Sequence, residues 1–163
     1  MDANKQKVFD ALDRLEITYE TIDHPAVFTI DQMDSLRIDE KGEILKNLFL
    51  KDGKGKRYFL VSIKKDKRAN LGELQHKLDS NRLSFASEQK LRELLGLEKG
   101  SVTPFGLLND ESRAVEYVLD AEIAPEQCIG VHPNINTATV WLLAKDLERV
   151  IKEHGNSIVR IPL

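Results

Sequence analysis

The most informative stretch of the chain is "EILKNLFLKDGKGKRYFLVSIK", residues 43–64, because it holds two apolar runs separated by a turn. The runs "EILKNLFLKD" and "RYFLVSIK" are rich in the aliphatic and aromatic residues that favour strands. Between them, "GKGK" with its flanks Asp52 and Arg57 has the composition of a hairpin turn. The stretch therefore predicts two neighbouring antiparallel strands.

Two polar residues, Lys46 and Asn47, interrupt the first of these apolar runs. Because side chains alternate along a strand, the two residues point to opposite faces, and each of those faces is otherwise apolar. An unpaired buried charge is costly, so a lysine in such a position extends to solvent or meets a partner. Two interpretations follow: an edge strand with solvated side-chain tips, or a strand that contributes to a site.

The residues before the hairpin predict a helix, a short strand and a second helix. Apolar residues recur at helical spacing over residues 8–15, and "TYETID" alternates as a strand does. Pro25 ends that strand, since proline cannot donate to a central ladder. Thr29 is suited to cap a short helix that runs through Leu36.

The residues after the hairpin predict further helices and strands in mixed order. Helices are expected over "LGELQHKLD" after Asn70, over "EQKLRELLG" between Ser87 and Gly96, and over "AKDLERVIKEH" before Gly155. "GSVTPFGLLND" reads as a loop, and strands are expected over "AVEYVLD", "QCIGVH", "TATVWLL" and "SIVRIP". Adjacent strands mixed with helices predict an α+β protein with one mixed sheet covered by helices.

The composition is that of a globular protein, with 41% hydrophobic and 31% charged residues among 163, which suits one domain over residues 1–163. No apolar run approaches the ~20 residues of a membrane span. The single cysteine, Cys128, excludes an internal disulfide, predicts a reducing, cytoplasmic setting and reads as a small core residue. The scattered histidines lack metal-ligand spacing, so neither a metal nor a cofactor is expected. A net charge of −3 disfavours sequence-blind duplex binding but permits a local basic patch.

Three segments are candidates for chemistry. "GVHPNINTATVWL", residues 130–142, places His132 and two asparagines between two strands. An ordinary turn histidine is one interpretation, and a substrate-orienting or acid–base histidine is the other. "GSVTPFG", residues 100–106, is either a plain loop or a wall of backbone amides able to hold an oxyanion or an ester carbonyl.

The third segment is a basic cluster, which we define as Lys64, Lys65, Lys67 and Arg68. Charge runs are usually solvated surface. The alternative is a contact zone for a nucleic-acid backbone.

These blocks together resemble a known family. "ILKNLFLKD", "GSVTPFGLLND" and "GVHPNINTATVWL", with "YETIDHPAVFT" before them, are similar in content and order to the signature blocks of the YbaK/ProX family. That family comprises aminoacyl-tRNA deacylases related to the editing insertion of bacterial prolyl-tRNA synthetase. The "KN" pair and the "FLKD" strand are most similar to the ProX-type branch of free-standing prolyl-tRNA editing proteins. The resemblance implies a three-layer fold with a curved mixed β-sheet flanked by helices.

The resemblance also implies site residues. The family's essential lysine and its neighbouring asparagine fall on Lys46 and Asn47, and its pocket histidine falls on His132. Its Gly-x-x-x-Pro loop falls on Gly100 to Pro104. The implied substrate pocket comprises Ile22, His24, Phe28, Gly100, Ser101, Val102, Thr103, Pro104, Phe105, Gly106, Asn136 and Thr137.

The expected activity is hydrolysis of mischarged Ala-tRNA(Pro) by water attack on the aminoacyl ester. A synthetase discriminates against a smaller amino acid by only ~1–3 kcal/mol, so a second, smaller hydrolytic pocket is needed as a fine sieve. The alternatives are a deacylase for Cys-tRNA(Pro) or Ser-tRNA, and a non-catalytic module that binds tRNA or a synthetase. The expected partner is the acceptor end of tRNA(Pro), with prolyl-tRNA synthetase or an elongation factor as further candidates, and the protein is expected to be a monomer without membrane association.

Overall fold

The computed structural model describes residues 2–26, 41–54 and 56–163. These residues form one eight-stranded mixed sheet in the order β1-β7-β6-β2-β3-β5-β8, with β4 paired to β2 off this path. The strands are β1 (Glu20–Asp23), β2 (Glu43–Lys51), β3 (Tyr58–Lys64), β4 (Ser84–Phe85), β5 (Val115–Asp120), β6 (Cys128–Val131), β7 (Ala138–Leu143) and β8 (Ile158–Ile161).

The predicted hairpin is confirmed and lies in the middle of the sheet. β2 and β3 pair antiparallel, with Lys46 opposite Ile63 and Asn47 opposite Ser62. On its other side β2 pairs with β6 in parallel. β2 as a whole is therefore an interior strand and not the edge strand of one interpretation, although among the described residues Lys46 and Asn47 themselves pair with β3 alone.

The helices begin and end close to the predicted residues. They are α1 (Ala3–Arg14), α2 (Leu71–Leu78), α3 (Glu88–Lys90), which continues as a π-helical turn over Leu91–Leu95, and α4 (Ala144–His154). The side chains of Asn70 and Ser87 cap α2 and α3 as predicted. Gly96 and Gly155 both take the left-handed conformation that ends a helix.

Helices cover both faces of the sheet, which gives three layers. One face packs against α1, α4 and the π-helical turn, through residues such as Leu12, Leu147 and Leu95. The other face packs against α2, where Leu74 meets Phe59 and Ile63. The predicted α+β architecture with a mixed sheet flanked by helices is confirmed.

Three sequence-based expectations differ from the structure or lie outside it. "GSVTPFGLLND" is not wholly a loop, because Pro104–Asn109 forms a 3-10 helix capped by the Thr103 hydroxyl. Cys128 is not a core residue, since its side chain is half-buried and lines a surface cleft. The expected helix from Thr29 to Leu36 lies outside the described residues.

In the described part of the chain, no helix has the length and apolar character needed to span a membrane.

Candidate functional site

The ends of the central strands enclose a small hollow. It has a volume of about 20 Å³, which exceeds the ~10–15 Å³ that one water needs. We call it the Asn47–His132 hollow. Its lining among the described residues comes from β2, from the end of β6 and from β7: Ile44, Leu45, Asn47, Gly130, Val131, His132 and Thr139. Asn47 and His132, 85 positions apart by their numbers, therefore share one small space.

The side-chain amide of Asn47 is held in one orientation. The buried Ser62 hydroxyl, opposite it in the hairpin, donates to Asn47 Oδ1 at 2.5 Å. Tyr117 in turn donates its hydroxyl proton to Ser62 Oγ at 2.7 Å. On the other side, Asn47 Nδ2 donates to the Val102 carbonyl at 3.4 Å. Because acceptor and donor atoms each have a matching partner, the Nδ2 protons face the loop that contains Val102.

The phenol of Tyr117 stays protonated in this chain of hydrogen bonds. Burial raises the pKa of Tyr117 well above the ordinary tyrosine value, and the hydrogen bond to Ser62 opposes that rise only in part. The relay from Tyr117 through Ser62 to Asn47 therefore runs in a fixed direction, with each hydroxyl donating toward the site.

The imidazole of His132 is neutral and has a defined tautomer. Burial lowers the pKa of His132 below its ordinary value, and the charge of nearby His24 lowers it further, while a hydrogen bond to Ala138 opposes the shift. His132 Nδ1 lies 2.9 Å from the Ala138 carbonyl, which can only accept, so Nδ1 carries the proton. Nε2 is therefore a hydrogen-bond acceptor at neutral pH.

The Gly-x-x-x-Pro loop is attached to the backbone at His132. The Thr103 hydroxyl donates to the His132 carbonyl at 2.6 Å, and its oxygen also accepts from the Phe105 amide at 3.4 Å. Gly100 has a φ of 90°, a value that glycine adopts readily and other residues rarely do. This glycine lets the loop turn toward the strand ends, where Thr103 fixes it.

Only some backbone amides of this loop are available to a ligand. The amides of Ser101 and Gly106 donate to the carbonyls of Glu98 and Thr103, respectively. Pro104 has no N–H. Among the described residues of this loop, the amides of Gly100, Val102 and Thr103 have no intramolecular acceptor. The expected amide wall is thus narrower than the whole loop.

The predicted pocket residues Ile22, in β1, and His24, directly after β1, lie beside the hollow. His24 Nε2 is 2.9 Å from the Thr139 hydroxyl, and the rings of His24 and His132 are 6.1 Å apart. Ile22 is half-buried and pairs with Thr139 across β1 and β7. Phe28 lies outside the described residues.

The turn after His132 is anchored by its backbone and by Asn134. The Thr137 carbonyl accepts from the His24 amide at 2.9 Å, and the Asn136 side chain is half-buried. Asn134 is buried, has a φ of 64°, and donates to Asn4 Oδ1 at 2.9 Å. This asparagine therefore supports the turn rather than facing a substrate.

Lys46 does not join Asn47 and His132. Alternation along β2 directs it to the opposite face from Asn47, and its ammonium donates to the Lys67 carbonyl in the loop between β3 and α2. The half-buried Lys46 thus finds its partner in a backbone oxygen of the basic cluster. The three residues expected to be catalytic therefore divide into a pair at the hollow and a lysine at the neighbouring loop.

The members of the basic cluster have different surroundings. Lys67 Nζ lies 2.7 Å from buried Asp120 and 2.8 Å from Glu122. Burial acts to lower the pKa of Lys67, but the hydrogen bonds to these two carboxylates outweigh it and raise the pKa above its ordinary value. Arg68 is exposed, and Lys64 and Lys65 are half-buried. Lys67 therefore acts mainly as an internal ion-pair partner.

Three residues at the site have no counterpart in the sequence-based predictions. They are Ser62, Tyr117 and Thr139, which hold the side chains of Asn47 and His24 in place. Ser62 could have been found from the hairpin alone. Counting the same number of residues outward from the middle of the predicted turn along each strand places Ser62 opposite Asn47. Tyr117 and Thr139 belong to strands whose neighbours the sequence does not specify.

Comparison with known proteins gives the family. The family model for the aminoacyl-tRNA editing domain matches residues 24–150, which is most of the chain. The prolyl-tRNA editing protein ProX of Acetoanaerobium sticklandii is 47% identical over 163 residues, which cover 100% of this chain and 99% of that protein. Prolyl-tRNA synthetase associated domain-containing protein 1 of Danio rerio is 38% identical over 151 residues, covering 91% of this chain and 82% of that protein.

A solved structure supports the fold. The crystal structure of a candidate trans-editing enzyme for prolyl tRNA synthetase superposes with a TM-score of 0.74 at 20% identity, covering 100% of this chain and 99% of that one. The expected three-layer YbaK/ProX-type fold is thereby confirmed. The chain belongs to the aminoacyl-tRNA editing domain family and is an aminoacyl-tRNA deacylase.

Proposed function

We propose that this protein is a free-standing editing enzyme that hydrolyses the ester of mischarged Ala-tRNA(Pro). One observation carries the proposal: Asn47 and His132 line the same hollow, and each is hydrogen-bonded to the loop that contains the unpaired amides of Val102 and Thr103. The similarity to a prolyl-tRNA editing protein supports tRNA(Pro) as the nucleic acid.

The size of the hollow supports alanine as the amino acid. Among the described residues, a volume of about 20 Å³ is on the scale of a methyl group, and the larger proline ring would need more space. A hydrolytic site that admits the smaller amino acid and rejects the cognate one supplies the discrimination that a synthetase pocket lacks.

The polar groups have complementary roles in this reaction. Neutral His132 accepts a hydrogen bond from the substrate ammonium through Nε2. Asn47 Nδ2 and the amides of Val102 and Thr103 donate to the ester carbonyl oxygen, which gains negative charge as water attacks. The bond between the acyl carbon and the ribose oxygen breaks, that oxygen takes a proton, and alanine leaves as the free acid.

Lys46 has a separate role in the proposal. Its ammonium lies at the loop that also contains Arg68, so it belongs to a cationic region rather than to the ester site. We assign it to a phosphate of the tRNA end, with Lys64, Lys65 and Arg68 as further phosphate contacts. Removal of Lys46 should then weaken binding more than it slows chemistry.

Deacylation of a panel of tRNAs tests the function. We expect the protein to hydrolyse Ala-tRNA(Pro) well above the spontaneous rate and to leave Pro-tRNA(Pro) intact. Asn47→Ala should lower the single-turnover rate by about a hundredfold, as the loss of an oxyanion donor does. Lys46→Ala should chiefly raise KM.

Other outcomes of the same assay favour the alternatives. Preferential hydrolysis of Cys-tRNA(Pro) or Ser-tRNA would replace alanine as the substrate. Tight tRNA binding without hydrolysis of any aminoacyl ester would contradict the proposal and indicate a binding module. An unchanged rate and KM in Lys46→Ala would remove that lysine from the mechanism.

A further inference from the structure

We propose that a second cavity, adjoining the hollow, binds the 3′-terminal nucleotide of the substrate by stacking its base on Phe85; this inference rests on the proposed function. The cavity has a volume of about 330 Å³, at the lower end of the ~300–1,000 Å³ typical of small-ligand sites. We call it the Phe85 groove, and it is lined by Asn47, Leu48, Phe49, Phe85, Ala86, Ser87, Glu88, Leu91, Lys99 and Val102.

The position of the groove relative to the hollow is the first argument. Asn47 lines both spaces, and the carbonyl that its amide contacts belongs to Val102, another residue of the groove. The Asn47–Val102 contact therefore forms the boundary between a space for a methyl group and a space for a larger group. An aminoacyl nucleotide has this shape, with a small acyl group and a large nucleoside on either side of one ester.

The exposure of Phe85 is the second argument. Its side chain is 63% exposed, which is unusual for a large apolar residue, and it lies on the two-residue strand β4. Pairing of Phe85 with Leu50 fixes β4 at the edge of β2, so the ring sits on a rigid element. Exposed aromatic rings on such elements serve as stacking platforms for single-stranded bases, whatever their sequence.

The charges at the rim are the third argument. Lys99 is highly exposed, and its ammonium lies 3.7 Å from the Glu88 carboxylate. The lysine can contact the phosphate that precedes the terminal nucleoside, and the carboxylate can accept from a ribose hydroxyl or an exocyclic amine. A cation, an acceptor and an aromatic face thus match the three parts of one nucleotide.

The inference is tested by substituting Phe85 and measuring Ala-tRNA(Pro) deacylation. Phe85→Ala should raise KM about tenfold and leave kcat within about twofold, because a stacking contact is lost without change at the ester. Phe85→Trp, which keeps an aromatic face, should retain the original KM. Val159→Ala is the matched control, since Val159 is the other large apolar residue that is exposed in the described part of the chain.

Titration with AMP separates this inference from the proposed function. In the unmodified protein, AMP should shift the amide NMR resonances of Ala86, Ser87 and Val102, and Phe85→Ala should abolish these shifts. If no tRNA in the panel is deacylated, the proposed function is refuted. The AMP titration still tests nucleotide binding in the Phe85 groove in that case. The inference is overturned if AMP leaves the groove resonances unmoved, if Phe85→Ala behaves like Val159→Ala, or if its effect requires added prolyl-tRNA synthetase.

Discussion

The amide of Asn47 presents its donor protons to the site because Ser62 occupies its oxygen. The Ser62 hydroxyl also accepts from Tyr117, but it is the donation from Ser62 that sets the orientation of the amide. Free rotation of the amide would present an oxygen to the developing negative charge about as often as an N–H. The relay thus acts on catalysis through Asn47 rather than by touching substrate.

Substitution of the middle member of this relay should therefore impair turnover. We expect Ser62→Ala to lower kcat by about tenfold or more with little change in KM, because the donor is present but no longer oriented. The buried Tyr117 hydroxyl loses its partner as well, at a cost in stability of about 1–3 kcal/mol. Single-turnover deacylation and urea unfolding measure the two effects.

Tyr117→Phe is the matched control for the relay. It removes one buried hydroxyl but leaves Ser62 free to donate to Asn47, so kcat should remain within about twofold. An equal loss of kcat in both variants would mean that general packing, and not amide orientation, explains the result.

At single positions, the sequence predicted well which residues are unusual for their strand. It predicted less well which groups their side chains contact. Lys46 and Asn47 stand out in an apolar strand, and both half-buried side chains have hydrogen-bond partners. The opposite directions of the two side chains also follow from strand alternation. Strand alternation does not predict that Lys46 binds the Lys67 carbonyl, because that contact depends on the course of a loop.

Among the elements, β2 and β6 approach each other closely where they pair. Only Glu43 and Ile44 of β2 pair with β6 in register, and this short parallel contact joins the two parts of the site. A Cβ atom built on Gly42 would lie 2.4 Å from the Cys128 carbonyl oxygen, far inside van der Waals contact. Gly42 therefore allows β2 to approach the start of β6.

Gly42→Ala should destabilise the protein. The clash involves backbone, which cannot rotate away as a side chain does, so we expect a loss of about 1–3 kcal/mol in unfolding free energy. Gly72→Ala is the control, because a Cβ there would meet only Asn70 Oδ1 at 3.4 Å. In helix α2 that change should stabilise by about 0.5–1 kcal/mol. Opposite shifts of the urea midpoint with unchanged m-values would support this account, whereas equal shifts would contradict it.

Most elements were predictable because their signals are local. Capping by Asn70 and Ser87 and termination at Gly96 and Gly155 depend on a few neighbouring residues. The 3-10 helix over Pro104–Asn109 was missed, since glycine and proline signal a turn without specifying its hydrogen bonds. β4 was missed as well, because two residues carry no periodicity and the strand exists through its pairing with β2.

At the scale of the whole molecule, a net charge of −3 makes the location of each cation important for tRNA binding. Two neighbours in the basic cluster, Lys67 and Arg68, differ sharply in whether their charge is available to tRNA. Lys67 is neutralised by Asp120 and Glu122, whereas Arg68 is exposed. A sequence run of positive charge is therefore not a uniform surface for phosphate.

The two neighbours should consequently give different phenotypes. Arg68→Ala should weaken tRNA binding and reduce the slope of log K against log salt by about 0.7–0.9, the value for one phosphate contact. Lys67→Ala should leave that slope unchanged and destabilise the fold by about 3 kcal/mol, because it leaves the buried Asp120 carboxylate without its cation. Salt-dependent tRNA binding and urea unfolding distinguish the two. If Lys67→Ala reduced the salt slope of tRNA binding and Arg68→Ala did not, Lys67 rather than Arg68 would be the phosphate contact.

Across the whole chain, the sequence predicted the family and the sheet class but not the meeting of distant segments. The blocks around Lys46, Gly100 and His132 imply a shared site only through the family resemblance. Their approach in space depends on parallel pairing of β2 with β6, and on Thr103 binding the His132 backbone. Such long-range contacts leave no local pattern in a single sequence.

The attachment of the His132 turn to Asn4 links the start of the chain to the site. Asn4 lies in the first turn of α1, which Asp2 caps, and its side chain also donates to the Gly96 carbonyl. Fraying of that first turn would release Asn134 and loosen the segment that carries the imidazole, while the sheet stayed intact. A bulky fusion partner or a protease nick at the amino terminus would therefore register as slower editing long before it registered in a melting curve.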